Sequence, residues 1–172
     1  MANLALGSWK RVVDFLEEKF PVAYDYLRSA ASDEQLDALE TALGRGIPSD
    51  IRAVLLCNNG SDESYVLGSW FLMGTRDILA EWKLNNQIAA ENPDYEWLPQ
   101  WLPVLGNGGG DFLVLDMDTG ECLEAFHDPY DRVVVAPSFG HWLAKLANQL
   151  EAGHYEVIEE GEVFEVLDEE DL

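Results

Sequence analysis

The chain has 172 residues, 48% hydrophobic and 11% aromatic, with 33 acids against 10 lysines and arginines and a formal net charge of −23. That length and apolar content suit one folded unit with a sizeable core and do not suit a disordered chain. The charge argues against direct binding to nucleic acid, which needs a basic patch to meet phosphate, and no apolar run reaches the ~18 residues of a membrane span.

The first element is helical. Trp9, Val12, Val13, Leu16 and Phe20 recur at helical spacing over Ser8 to about Leu27, with Lys10, Arg11, Glu17, Glu18 and Lys19 mostly off that face. Pro21 is placed to divide the region into two helices. A second helix follows over Asp33 to Leu43. Ser32 is its N-cap, Gln35 completes a capping box, and Asp33 and Glu34 suit the positive end of the helix dipole. Leu36, Leu39 and Leu43 form its apolar stripe, leaving Asp37 and Glu40 to water.

Gly44 to Gly60 is the most informative stretch. Gly44 ends the preceding helix, and Pro48 suits a first helical position. Ile51, Val54 and Leu55 share one helical face, with Asp50 and Arg52 off it. Asn58-Asn59-Gly60 stops the helix, because these residues accept positive φ.

Tyr65-Val66-Leu67 and Ser69 to Met73 suggest strand, interrupted by Gly68. Thr75 then caps a helix carrying Ile78, Leu79 and Trp82 toward Asn86. The pattern breaks from Glu91 to Pro103, where Asn92-Pro93-Asp94 signals a turn. Two Trp-Leu-Pro runs, at Trp97 and Trp101, imply a packed connection; tryptophans in loops also serve as binding anchors.

Gly106 to Gly110 precedes Phe112-Leu113-Val114-Leu115, a strand, so the glycines fit a tight turn rather than a phosphate loop, which would open a helix. Asp111 ends that turn as a candidate polar contact. Asp116 to Gly120 resembles the start of a calcium loop, but strands flank it and the later ligands are missing, which favours a hairpin turn. Arg132 to Pro137 is a further strand. Ser138 caps a last long helix lined by Phe139, Trp142, Leu143, Leu146 and Leu150 and ended by Gly153. Beyond it lies either a small hairpin turning near Gly161 or an acidic tail. From Glu151 to Leu172 there are ten acids and no lysine or arginine.

Catalytic constellations do not assemble. The serines fall in caps and loops, and neither Cys57 nor Cys122 has an adjacent histidine to act as base. Both cysteines sit among apolar residues and suit small core side chains. The three histidines, His127, His141 and His154, lack metal-ligand spacing. No enzyme, cofactor or metal site is therefore expected. The amino terminus is a poor signal peptide, which leaves the cytoplasm as the default location.

An acidic amphipathic helix, then Gly44 to Gly60 as G-x-G-I-P-x-D-I-R-x-x-L-x-x-x-N-G, resembles the N-terminal signature of the SUKH superfamily. That superfamily includes fungal cell-wall-assembly regulators and bacterial immunity proteins that neutralise polymorphic toxins. Leu105 to Asp116, Thr119-Gly120-Glu121, Val135 to Phe139 and Gly153-His154-Tyr155 are similar to its later motifs, in order, over roughly residues 33 to 155. The resemblance implies an α+β fold with a central, mostly antiparallel sheet packed with helices. It implies a domain over 1–153, with an N-terminal helical extension, followed by the acidic 154–172.

The resemblance further implies a binding function and no catalytic residues. The bacterial role would be neutralisation of a cognate toxin, and a basic nuclease would match the acidic charge, which steers a basic partner. Acidic cytosolic proteins are also common, and salt-adapted proteomes are acidic throughout. An intracellular regulator or scaffold is the alternative. The expected partner face is Asp62, Glu63, Asp94, Glu96, Trp97, Trp101 and Asp111, where acids and aromatic residues share loops. The expected partner is a protein, without direct nucleic-acid or membrane binding.

Overall fold

The computed structural model describes residues 2–62, 64–127, 130–157 and 162–165. Six helices and two antiparallel sheets are present among them: α1 (Ala2–Lys19), α2 (Pro21–Asp25), α3 (Asp33–Leu43), α4 (Ser49–Leu55), β1 (Phe71–Leu72), α5 (Thr75–Glu91), β2 (Trp101–Gly106), β3 (Phe112–Asp116), β4 (Cys122–His127), β5 (Tyr130–Ala136), α6 (Phe139–Glu151), β6 (Tyr155–Val157) and β7 (Val163–Glu165). The main sheet runs β1-β2-β3-β4-β5, each neighbour antiparallel, and β6 pairs with β7 separately. This is the expected α+β architecture.

The first helix begins six residues before the expected start and is integral to the core. Ala5, Trp9, Val12 and Leu16 are buried along one stripe, which packs on α6 and α4. On its outer side Arg11 donates to Glu151 at 2.8 and 2.6 Å and to Asn148 at 2.8 Å, joining the first helix to the last. The α3 capping box forms as expected: Gln35 N donates to Ser32 Oγ at 3.2 Å and Ser32 N to Gln35 Oε1 at 2.9 Å.

Asn58-Asn59-Gly60 does more than stop α4. Asn58 accepts from Trp9 Nε1 and donates to the Arg28 carbonyl. The Asn59 amide donates to Gln35 Oε1 at 3.2 Å and accepts from Thr75 N at 2.8 Å, tying the amino ends of α3 and α5 together. Gly60 passes so close to Gly74 that a Cβ on Gly60 would stand 2.5 Å from Gly74 N.

Several expectations are corrected. Only Phe71–Leu72 of the 65–73 stretch is strand. Gly68 and Ser69 both take positive φ, 62° and 67°, which breaks extended pairing, and Leu67 N turns back to the Trp70 carbonyl. The α5 helix starts after Gly74, whose N–H donates to Asp77, and runs past Asn86 to Glu91. Trp101 to Pro103, expected in a connection, opens β2; the register shifts just after Pro103, which has no N–H to give to the ladder. Asp50, placed off the apolar face by periodicity, is 5% exposed because α6 covers it. Cys122 is buried as expected, whereas Cys57 is exposed at the end of α4. The turn near Gly161 lies outside the described residues.

Candidate protein-binding face

The connection from Asn92 to Gln100 lies over one face of the sheet. Trp97 is 5% exposed and Trp101 7%. Trp97 meets Trp101 and Phe112 edge-on, with ring centroids 5.9 and 6.0 Å apart, and stacks on Tyr95. Trp101 Nε1 donates to Asp116 at 3.3 Å. Burial of two indoles with such aromatic contacts stabilises the connection by several kcal/mol, on the order of 2 kcal/mol for each fully buried large side chain. The two tryptophans expected as anchors therefore spend their area on the sheet and present little to a partner.

Arg132 of β5 closes this cluster from the side. Its guanidinium lies 5.9 Å from the Trp101 ring centre and donates to the carbonyls of Glu96 and Phe126. This residue was not singled out by the sequence, since nothing local ties it to residues thirty-odd positions earlier. Its position fixes the Glu96 backbone and leaves the exposed Glu96 side chain at the edge of the connection. Asp94, also exposed, sits in a tight turn in which its N–H donates to Asn92 Oδ1 at 3.2 Å.

Asp111 is engaged internally. Its carboxylate accepts from Asn107 Nδ2 at 2.7 Å and from His127 N at 2.9 Å, and His127 Nδ1 lies 2.7 Å away. Burial works to raise its pKa, but the His127 and Asn107 hydrogen bonds outweigh it and hold the carboxyl below the ordinary range. It thus ties the glycine-rich β2–β3 turn to the end of β4. Asp62 belongs to a different set, pairing with Arg28 at 3.4 Å while Arg28 also meets Asp77 at 2.9 Å. Glu63 lies outside the described residues. The structure thus gathers Asp94, Glu96 and Trp97 on one connection, with Trp101 at the start of β2 beneath it and Asp111 next to Phe112 at its side. Of these, Asp94 and Glu96 offer exposed carboxylates over a rigid aromatic floor.

Among the described residues, no group of three or more histidine, cysteine or acidic side chains is disposed to hold a metal ion. No helix among them is long and apolar enough to cross a membrane.

Comparison with known proteins gives a consistent result. The model of the SMI1 / KNR4 family (SUKH-1) matches residues 30–145. The chain is similar to a glucan synthesis regulatory protein of Neurospora crassa, at 22% identity, covering 90% of this chain and 40% of the relative. It is also similar to a KNR4/SMI1 homolog of Yarrowia lipolytica, at 22% identity, covering 87% of this chain and 31% of the relative. The chain thus spans less than half the length of these curated relatives.

Proposed function

The chain belongs to the SMI1/KNR4 (SUKH-1) family, and on that premise we propose that it is a non-catalytic protein-binding module that acts inside the cell on a basic protein partner. The net charge of −23 carries this reading, because a field of that sign draws in a basic surface and speeds association at low salt. Asp94 and Glu96, exposed on a connection held rigid by buried tryptophans, support one docking point. Asp62, in its separate set, is a second carboxylate open to a partner.

Two partner classes fit. A toxin-neutralising role is supported by the charge: a nuclease toxin needs basic groups for phosphate, and an acidic inhibitor competes there. A regulatory role in cell-wall assembly is supported by the relatives' names, one of which refers to regulation of glucan synthesis.

Affinity capture on the immobilised protein, from source-cell lysate supplemented with candidate toxins at low and high salt, tests both. One basic toxin retained one-to-one, released by salt and inactive when bound, establishes neutralisation. Retention of a defined set of wall-synthesis or signalling proteins establishes regulation. Retention of acidic or neutral proteins alone, indifferent to salt, rules out charge as the basis of binding.

A further inference from the structure

On the sheet face opposite Trp97 lies an acid that the partner face does not use. Phe112 meets Trp97, and the next residue, Leu113, points to the other face. Glu124 of β4 is in register with Leu113 on one side and Val133 on the other, so it shares that opposite face. There it lines a cavity of about 140 Å³ with Trp70, Trp142, Tyr155, Lys145 and Gln149.

Three features make this more than a gap. The Glu124 carboxylate is half-buried and makes no hydrogen bond or ion pair with another described residue. Burial pushes its pKa up, with Lys145 only partly offsetting it, so an inward-facing charge is carried at a stability cost. Aromatic side chains border the cavity and are held in place, while the surface it opens is mostly polar. Trp142 is backed by Phe139, stacked at 6.0 Å, and Trp70 is buried. Tyr155 lies so close to Gly68 that a Cβ there would stand 2.3 Å from its ring.

We propose that this cavity receives an arginine side chain of a protein partner, its guanidinium on the Glu124 carboxylate. The proposal rests on the reading of the chain as a protein-binding module and names the partner group that one site takes. Arginine fits better than lysine, because a planar guanidinium meets a carboxylate with two donors and stacks on rings, whereas an ammonium is a compact, strongly hydrated charge. Lys145, exposed at the rim, repels the incoming cation. Gln149, also at the cavity, offers a donor for the carbonyls of the segment that carries the arginine.

The test uses capped Gly-Arg-Gly peptide and its citrulline counterpart, which keeps the shape and loses the charge. Binding to the full chain is followed by tryptophan fluorescence and calorimetry. The arginine peptide is expected to saturate with a Kd on the order of 1 mM, and the citrulline peptide to bind about tenfold more weakly. Glu124→Gln should weaken the arginine peptide about tenfold, and Lys145→Met should strengthen it about threefold. Equal binding of the two peptides, no effect of Glu124→Gln in a variant with unchanged circular dichroism, or weaker binding in Lys145→Met would each overturn the proposal. The probe contains no natural partner, so its failure leaves the binding-module reading to the capture experiment. Failure of capture alone would not remove a saturable arginine site.

Discussion

Asp50 caps a helix that begins some 90 residues later in the chain: its Oδ2 accepts the Gly140 N–H at 3.0 Å. The carboxylate lies in the first turn of α4 and against the first turn of α6, so two positive helix ends face one buried negative group. Its other oxygen, Oδ1, is buried with no hydrogen-bond partner among the described residues. We expect Asp50→Ala to cost about 3 kcal/mol, because the Gly140 N–H loses its acceptor and a small void opens. Asp50→Asn keeps the acceptor but loses the charge and puts an amide NH2 where Oδ1 lies buried without a partner, at about 2 kcal/mol. Urea denaturation of both variants measures the difference, and equal losses would mean that the acceptor kept for the Gly140 N–H contributes nothing.

Two glycines with the same sign of φ separate backbone strain from steric conflict. Gly44 has φ 71° with open space where a Cβ would go, while Gly60 has φ 89° and would push a Cβ to 2.5 Å from Gly74 N. Gly44→Ala should cost about 1 kcal/mol from the left-handed conformation alone. Gly60→Ala should cost at least about 3 kcal/mol, since two backbones and the Asn59 cap on α5 must move apart. Thermal melts of the pair check this order.

Acid stability should depend on Asp111. Its folded-state pKa lies below the unfolded one, so its contribution is fully present above the ordinary carboxylate value and is lost as pH falls through the depressed value. In Asp111→Asn the acid limb of a plot of urea midpoint against pH should be shallower than in the parent. The variant should also be less stable at neutral pH, where the carboxylate contribution is missing.

Glu124 should behave in the opposite sense. Its pKa is raised by burial, so the folded state keeps the proton after the unfolded chain has lost it. Stability falls as pH rises across that interval. Glu124→Gln should therefore raise the melting temperature at neutral pH while weakening arginine-peptide binding, the pattern of a residue kept for recognition rather than stability. A lower melting temperature would mean that the carboxylate is a structural partner instead.

The two thiols should differ in reactivity. Burial, with a smaller effect from Asp50, pushes the Cys122 thiol up to about 12, so it has almost no thiolate at neutral pH and no access to reagent. Cys57 is exposed. Ellman's reagent should titrate one thiol in the native protein and both in denaturant. Appearance of the second then reports opening of the core.

What the sequence made legible was local. The Ser32–Gln35 capping box and the Ser138 cap each depend on residues three positions apart, and the leucine stripe of α3 needs only one helix. Failures came where distant chain decides. Nothing near Asp50 announces that α6 will cover it. The Trp-Leu-Pro runs imply a packed connection at Trp97 and Trp101, but not what packs on it: Phe112 and Arg132 arrive from elsewhere in the chain. The inward face of Glu124 follows from its register with Leu113, which no single strand contains. The expected partner face was assembled from loop chemistry, and loop chemistry says little about which side chains the sheet will claim.

The bond between Arg11 and Glu151 has a consequence during synthesis. The apolar stripe of α1 leaves the ribosome before the helices that cover it, and the second of these, α6, starts about 120 residues after α1 ends. At ~10 residues per second, α4 can cover part of the stripe early, but the face that packs on α6 stays open for roughly 12 s. The nascent chain is thus a candidate for chaperone binding at α1. A fragment cut to the family-matching residues would lack α1 and the end of α6 altogether, leaving α4 and the rest of α6 without the helix they pack on.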